Sequence, residues 1–254
     1  MASPTYAAFE HRLVGYRRTW RGSVLSSFLL PVLFLLAMGL SVGRYVDRAG
    51  TLGVPYLDYI APGLLASTAL QVAVGESTFP VFDGFAWTRT YFSIKATPAR
   101  VSDMIAGHVA YVLMRVLMAA VGFLVVMALF GAVHSAWAPA ALAAALLTGF
   151  ATATPVFAYS ATIKTDGLFA VLFRFAVVPM TLFAGVFFPV SALPLAARVL
   201  AYVSPLWHGV ELTRAATLGT PTAWGVWVHV GYLALWGVAG YALTTYCFRR
   251  RLAE

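Results

Sequence analysis

Long apolar runs alternate with short polar stretches along nearly the whole chain. The hydrocarbon core of a bilayer is about 30 Å thick, so a spanning helix needs roughly 20 apolar residues. This pattern predicts an all-α, polytopic membrane protein with six transmembrane helices in a single domain over residues 1–254. The predicted spans cover residues 24–42, 57–81, 109–130, 138–163, 168–188 and 224–248.

Two further segments have a different pattern. Residues 5–22 place arginines among aromatic and aliphatic residues that recur every three or four positions. This spacing predicts an amphipathic helix on the inner membrane surface, with a solvated arginine-bearing tail as the alternative. Residues 189–222 are largely apolar but are interrupted by prolines. Because each piece between prolines is too short to span a bilayer, we expect a re-entrant helical segment on the outer side.

Composition and charge agree with a membrane location. The chain is 61% hydrophobic and 10% charged, whereas soluble domains carry about 25% charged residues. With the N-terminus inside, eleven lysines and arginines fall on the inner side of the spans and four on the outer side. Basic residues collect on the cytoplasmic side, so we expect both termini in the cytoplasm. The net charge of +8 then faces anionic membrane lipid, and we expect no nucleic acid partner.

The sequence lacks the motifs that would supply chemistry. It has no phosphate-binding G-x-x-x-x-G-K-[ST] loop and no H-E-x-x-H, and Cys247 is its single cysteine. His208 and Glu211 have the i, i+3 spacing that metal ligands can use, but a histidine near the lipid headgroups and a surface pair of Glu211 with Arg214 are the favoured interpretation. We therefore expect no metal site, no bound cofactor and no catalytic residue, so that the chain is not an enzyme by itself.

Ionisable residues also fall inside the apolar runs, namely Glu76, Arg115 and Arg174. Charged groups at membrane depth are costly and are usually paired or functional. At a rise of about 1.5 Å per residue, all three lie at similar depth in the inner half of the bilayer. We predict an intramembrane charge network in which Glu76 pairs with Arg115 or Arg174. The alternative is that each arginine extends to the inner headgroups alone.

The order of these elements, and several short patches within them, resemble the membrane subunit of ABC-2-type exporters. The closest likeness is to the lipo-oligosaccharide (nodulation-factor, NodJ-like) and daunorubicin-resistance permease branch. The patches are YLDYIAPGL at 56–64, RTY at 89–91, ATPARVSD at 96–103, GVFFPVSALP at 185–194 and SPL at 204–206 with Glu211. This chain has Phe92 and Ser93 where the family's cytoplasmic loop often has an acidic residue and a glycine.

The resemblance implies a permease subunit in the bacterial cytoplasmic membrane, paired with a second copy as a homodimer. ATP and Mg would bind to a separate ABC ATPase subunit. The resemblance also implies that residues 84–100 form a cytoplasmic coupling helix that contacts this ATPase. The segment is amphipathic, and Thr97-Pro98 would end such a helix; an ordinary interfacial loop is the alternative. The expected coupling residues are Trp87, Arg89, Tyr91, Phe92, Lys95, Thr97 and Pro98.

We expect spans two and five of two copies to surround the transport path. The cargo would be an amphipathic lipid-like, glycolipid or drug-like compound, because the side chains there are mainly apolar and aromatic. The same residues could equally serve helix packing. The expected path residues are Leu64, Ser67, Thr68, Gln71 and Phe79 on span two, and Phe175, Pro179, Met180 and Phe183 on span five.

Two other functions are alternatives to export driven by ATP. An ion-coupled secondary transporter of hydrophobic compounds would show two related halves and an acidic residue near the bilayer midplane. No internal repeat is visible, and Glu76 lies nearer the inner edge. A membrane enzyme would need clustered catalytic side chains, and the sequence offers none.

Overall fold

The computed structural model describes residues 3–50 and 52–253, and in this part of the chain every regular element is helical. The side chains of 18–21, 23–28, 30–31, 40 and 49 lie outside the described set, and with them part of the basic pattern predicted for 5–22. The α-helices are α1 (Pro4–Ala37), α2 (Gly43–Ala49), α3 (Tyr56–Ser77), α4 (Phe79–Ala86), α5 (Thr90–Lys95), α6 (Val101–Leu129), α7 (Ala140–Thr162), α8 (Phe169–Leu172), α9 (Val178–Phe183), α10 (Leu195–Val203), α11 (Pro205–Leu218) and α12 (Val226–Ala253).

The helices α1 and α2 are joined by a π-helical turn over Met38–Val42. The backbone is therefore helical from Pro4 to Ala49, without a break between the predicted surface helix and the first predicted span. The backbone helix continues through the change from a basic to an apolar sequence pattern near residue 23. Ser3 caps the start, because its Oγ accepts a hydrogen bond from the Tyr6 amide at 3.3 Å.

Helical stretches long and apolar enough to cross a membrane are found for five of the six predicted spans. The first predicted span, 24–42, falls where many side chains are outside the described set. The five stretches are Tyr56–Ala86, Val101–Leu129, Ala140–Thr162, Asp166–Phe183 and Val226–Ala253.

The centre of the subunit is α3, which packs against α6, α7 and α11. Small side chains such as Ala61, Ala66, Ala69 and Ala73 are fully buried along it. Small residues let helix backbones approach closely in a membrane, where van der Waals contact drives association. As a result, almost the whole circumference of α3 is enclosed by its own chain.

The helices α7 and α12 pack closely against each other. An added Cβ at Gly240 would lie 2.9 Å from the Pro155 backbone nitrogen and 2.5 Å from Thr154 Oγ1. The Thr154 hydroxyl donates to the Gly237 carbonyl at 3.0 Å, and the Thr244 hydroxyl donates to the Thr154 carbonyl at 2.5 Å. This contact fixes the last helix against the middle of the chain.

The proline-rich segment 189–222 contains the short helices α10 and α11, which meet at Ser204-Pro205. The two helices lie in different environments. Most side chains of α11 are buried between α3 and α7, and an added Cβ at Gly209 would clash with Thr148 Oγ1 at 2.2 Å. In contrast, α10 exposes its apolar residues, including Leu195 and Leu200.

Candidate functional site

The segment expected to couple the permease to its motor begins as a direct continuation of span two. At Thr78 the backbone turns sharply, with φ −93° and ψ −96°, and α4 starts at the next residue. The Ser160 hydroxyl of α7 donates to the Ser77 carbonyl at 2.8 Å in the buried interior. A neighbouring helix, α7, therefore holds the joint between α3 and α4.

The range 84–100, predicted as one helix, contains the last residues of α4 and the whole of α5. The division lies at Arg89, which among the described residues is the one non-glycine residue with positive φ, at 52°. A left-handed residue cannot continue a right-handed helix. Helix α5 ends at Lys95, and Thr97 Oγ1 donates to the Ile94 carbonyl at 2.7 Å. The helix thus stops just before Thr97-Pro98, where the sequence predicts its end.

Tyr91 anchors the coupling segment inside the subunit. Its side chain is only 2% exposed, and burial raises the pKa of its hydroxyl. Arg12 of α1 donates to the Tyr91 oxygen at 2.9 Å, and a second hydrogen bond of 2.8 Å joins the Tyr91 hydroxyl to His108 Nδ1. The ring also packs on Phe85 and Phe248, with centroids 4.7 and 5.1 Å away. Tyr91 therefore joins α1, α6 and α12 and does not face outward, contrary to the prediction of an ATPase contact.

Lys95 is also occupied within the chain. Its Nζ donates to the Leu252 carbonyl at 2.5 Å, at the C-terminal end of α12. A cation at a helix C-terminus is favourable because the last carbonyls carry partial negative charge. Nearby, the Arg251 guanidinium lies 5.2 Å from the Phe85 ring and donates to the Ala161 carbonyl at 2.9 Å. These contacts tie α5 to the end of α12, and the end of α12 to α4 and to the end of α7.

The remaining predicted coupling residues form an exposed surface. Trp87 is 60% exposed, and Phe92 is 36% exposed. We call this set the coupling surface. It consists of Trp87, Arg89, Phe92, Thr97 and Pro98, all exposed.

Glu76 lies against Arg115, one of its two predicted partners. Arg115 Nε is 3.2 Å from Glu76 Oε1, and the guanidinium carbon lies 4.3 Å from the centre of the Tyr16 ring. Arg174 is exposed in a π-helical turn over Phe173–Val177. Within the described residues no carboxylate lies within 4 Å of it.

The residues predicted to line the transport path are partly buried inside the chain and partly exposed. On span two, Leu64 and Ser67 are buried in the subunit core, so they differ from the prediction and do not line a surface facing a second copy. The physical reason is that three helices already enclose that part of α3. Thr68 is half-buried and donates to the Leu64 carbonyl at 2.8 Å, while Gln71 and Phe79 are exposed.

On span five the predicted residues are mostly open. Phe175 is 77% exposed and Phe183 is 37% exposed. Pro179 and Met180 are half-buried. Span five therefore offers the larger apolar surface to lipid or to another subunit.

The sequence pattern does not predict the buried histidine pair that joins α11 to α12. His208 and His229 are fully buried, with their Nδ1 atoms 2.9 Å apart. This is a correction to the expectation of a histidine at the headgroups; the reason is that α12 and the Trp207 and Trp224 rings pack over it. A spacing of 21 residues across a loop has no periodicity that could reveal the contact. The Glu211–Arg214 pair is present at 3.4 Å.

The hydrogen bonds determine which nitrogen of each histidine carries the proton. The Tyr202 carbonyl can only accept, so His208 Nε2 donates to it at 3.0 Å. His208 Nδ1 must then accept from His229 Nδ1, which leaves His229 Nε2 buried without a partner. Burial lowers the pKa of His208 to about 4. In the described part of the chain there is no group of three or more possible metal ligands.

Comparison with known proteins identifies the family. The sequence model of the ABC-2 type transporter family matches residues 5–218. Nodulation protein J of Rhizobium leguminosarum bv. viciae is 28% identical over 246 residues, covering 97% of this chain and 94% of the relative. Nodulation protein J of Rhizobium leguminosarum bv. trifolii is 29% identical over 248 residues, with 97% and 93% coverage. This chain belongs to the ABC-2 type transporter family.

Proposed function

We propose that this chain is the permease subunit of an ATP-driven exporter in a bacterial cytoplasmic membrane, with both termini in the cytoplasm. A separate ATPase subunit would bind ATP and Mg and supply the energy. The permease would move an amphipathic lipid-like, glycolipid or drug-like compound out of the cytoplasm or inner leaflet. Family membership and the similarity over nearly full length to proteins named nodulation protein J support this assignment.

The observation that carries the proposal is the connection of the coupling surface to the spans. Helix α4 continues α3 through the joint at Thr78, which Ser160 of α7 holds. Helix α5 is bonded to α1 and α6 through Tyr91 and to α12 through Lys95. A force applied at α5 therefore acts on several spans at once. A conformational change requires that ATP favour one state of the assembly over the other, and this linkage would convey that preference into the membrane.

The motor contact can be tested with a pair of tryptophan variants. Trp87→Ala removes an exposed aromatic side chain from the coupling surface, and Trp137→Ala removes an exposed one from the loop between α6 and α7 on the opposite side. Loss of a central interface tryptophan costs about 2 kcal/mol or more, equivalent to a roughly 30-fold weaker contact. We expect Trp87→Ala to reduce both co-purification of an ATPase subunit and its stimulated ATP turnover.

The Trp137→Ala variant should behave as the parent in both assays. The parent chain purified without its partner should not hydrolyse ATP. Equal effects of the two variants would remove the coupling surface from the proposal. Transport by the lone chain that follows an imposed ion gradient, without ATP, would favour the secondary-transporter alternative.

The proposed homodimer is supported by the exposed apolar face of span five. Phe175→Cys in a Cys247→Ser background should form a disulfide-linked dimer under mild oxidation, since Cys247 is the single native cysteine. Leu235→Cys in the same background is the control, because Leu235 is 72% exposed on α12. Cross-linking of Leu235→Cys alone would place the subunit contact on α12 instead.

A further inference from the structure

A polar cleft lies where α1 crosses the inner ends of α3 and α6. It has a volume of about 370 Å³, and its lining includes Arg12 and Tyr16 of α1, Glu76 of α3 and Arg115 of α6. This volume lies within the range of about 300 to 1,000 Å³ that is usual for small-ligand sites. The proposed topology places the cleft near the inner lipid headgroups.

The charges of the cleft do not balance. Two guanidinium groups face a single carboxylate, because Glu76 pairs with Arg115 and no acidic side chain among the described residues lies within 4 Å of Arg12. His11 and Tyr111, which also line the cleft, add no negative charge at neutral pH. Counting its arginines and its carboxylate, the described lining carries one excess positive charge. A cation that is partly removed from water calls for an anion.

Both arginines also retain unused hydrogen-bond donors. Arg115 contacts Glu76 through Nε, and its guanidinium plane lies over the Tyr16 ring. Arg12 donates through Nη2 to the Tyr91 hydroxyl. A guanidinium carries five N–H donors in a planar fork, and the side chains that the structure describes accept no further hydrogen bond from either group. The two forks are thus available to a multidentate acceptor, and a phosphate has that geometry.

We infer that this cleft binds the phosphate group of an anionic amphiphile in the inner leaflet. The phosphate accepts from Arg12 and Arg115, and its apolar part extends into the surrounding lipid. A bulk anionic phospholipid and a phosphate-bearing cargo share this chemistry. The site belongs to the isolated chain, so it does not depend on the proposed ATPase partner.

The test is native mass spectrometry of the full chain released from nanodiscs that contain equal amounts of phosphatidylglycerol and phosphatidylcholine. The variants are Arg12→Gln and its control Arg17→Gln. Both remove one positive charge from the same helix, but Arg17 is exposed and does not line the cleft. Loss of a surface charge alone weakens anionic-lipid attraction equally in the two variants.

We expect the parent and Arg17→Gln to retain phosphatidylglycerol selectively. In Arg12→Gln, we expect at least about fivefold less retention, because a charge-assisted hydrogen bond is lost. If Arg12→Gln fails to fold, the double variant Glu76→Gln/Arg115→Gln serves in its place. It removes the Arg115 guanidinium without leaving Glu76 as an unpaired charge, and it should show the same loss of phosphatidylglycerol retention. Equal retention of both lipids by the parent, or equal losses in Arg12→Gln and Arg17→Gln, would overturn the inference.

A competition experiment separates the sources of the phosphate. If phosphatidylglycerol stays bound in excess inorganic phosphate, the acyl chains contribute and the ligand is a membrane lipid. Displacement by inorganic phosphate supports the same arginine chemistry, with a phosphate that need not be membrane-anchored. Neither result depends on ATP hydrolysis, so failure of the proposed transport function would leave this measurement interpretable.

Discussion

The contact between α7 and α12 makes a sharp prediction about Gly240. In Gly240→Ala, the new methyl group would lie 2.8 Å from Pro155 Cδ and 2.9 Å from the Pro155 backbone nitrogen. Ordinary contacts between carbon atoms lie at about 3.5 Å or more, so the helices must separate by about 0.7 Å. The Thr154 hydroxyl now donates to the Gly237 carbonyl at 3.0 Å. A separation of that size would lengthen the distance between Thr154 Oγ1 and the Gly237 oxygen beyond the limit of a hydrogen bond.

The expected cost has two parts. Overpacking costs about 1 to 3 kcal/mol, and loss of an interhelical hydrogen bond in a membrane adds about 0.6 kcal/mol. A destabilisation of about 2 to 3 kcal/mol should lower the melting temperature by roughly 5 to 10 °C for a chain of this size. The assay is the loss of monodisperse protein on heating in detergent, followed by size-exclusion chromatography.

Gly231→Ala is the matched control, because it lies on the same helix and an added Cβ would meet no atom within 4 Å. Both variants gain the same backbone preference of alanine over glycine. The difference between their melting temperatures therefore isolates the helix contact. Equal melting temperatures, or a more stable Gly240→Ala, would refute the close approach of α7 and α12.

Two further predictions concern the ends of the subunit. Lys95→Met should remove the hydrogen bond to the Leu252 carbonyl, leave the fold intact and lower the ATPase stimulation of the assembled transporter. Lys164→Met, in the exposed loop after α7, should leave the ATPase stimulation unchanged. Equal stimulation in both variants would exclude a coupling role for Lys95. Burial lowers the pKa of His208 to about 4, below its ordinary value near 6.5. Between these two pH values the unfolded chain binds a proton at His208 and the folded chain does not, so the free energy of unfolding should decrease as the pH falls from 6.5 towards 4. The melting temperature in detergent should drop over that window, and His208→Gln should flatten the drop; an unchanged slope would mean that other groups, such as His229, dominate.

Several features could be predicted because they depend on neighbouring residues and on the solvent. The length of an apolar run decides whether a helix can cross the hydrocarbon core, and five of the predicted spans have such a helix. The end of α5 follows from Thr97-Pro98, since the residue before a proline is pushed out of helical geometry. Family membership followed from the short patches, and it is confirmed over residues 5–218.

Which way each side chain faces was not predictable from the same patterns. Tyr91 and Phe92 are adjacent and both aromatic, yet one is buried and bonded to His108 while the other is exposed. The coupling segment has an amphipathic pattern whichever of these two aromatic side chains faces the protein interior. Gly84 leaves room for the Tyr91 ring, since an added Cβ would lie 2.5 Å from it.

By itself, the sequence determined the class of protein, its helical spans and the side of the membrane expected for its charges, because hydropathy and charge act residue by residue against lipid and water. Only the tertiary structure decided that Glu76 meets Arg115, that Lys95 holds the end of α12 and that His208 meets His229. Those contacts join residues far apart in the chain, and they depend on how closely small side chains let the helices approach. Helix packing, and not local pattern, sets such distances.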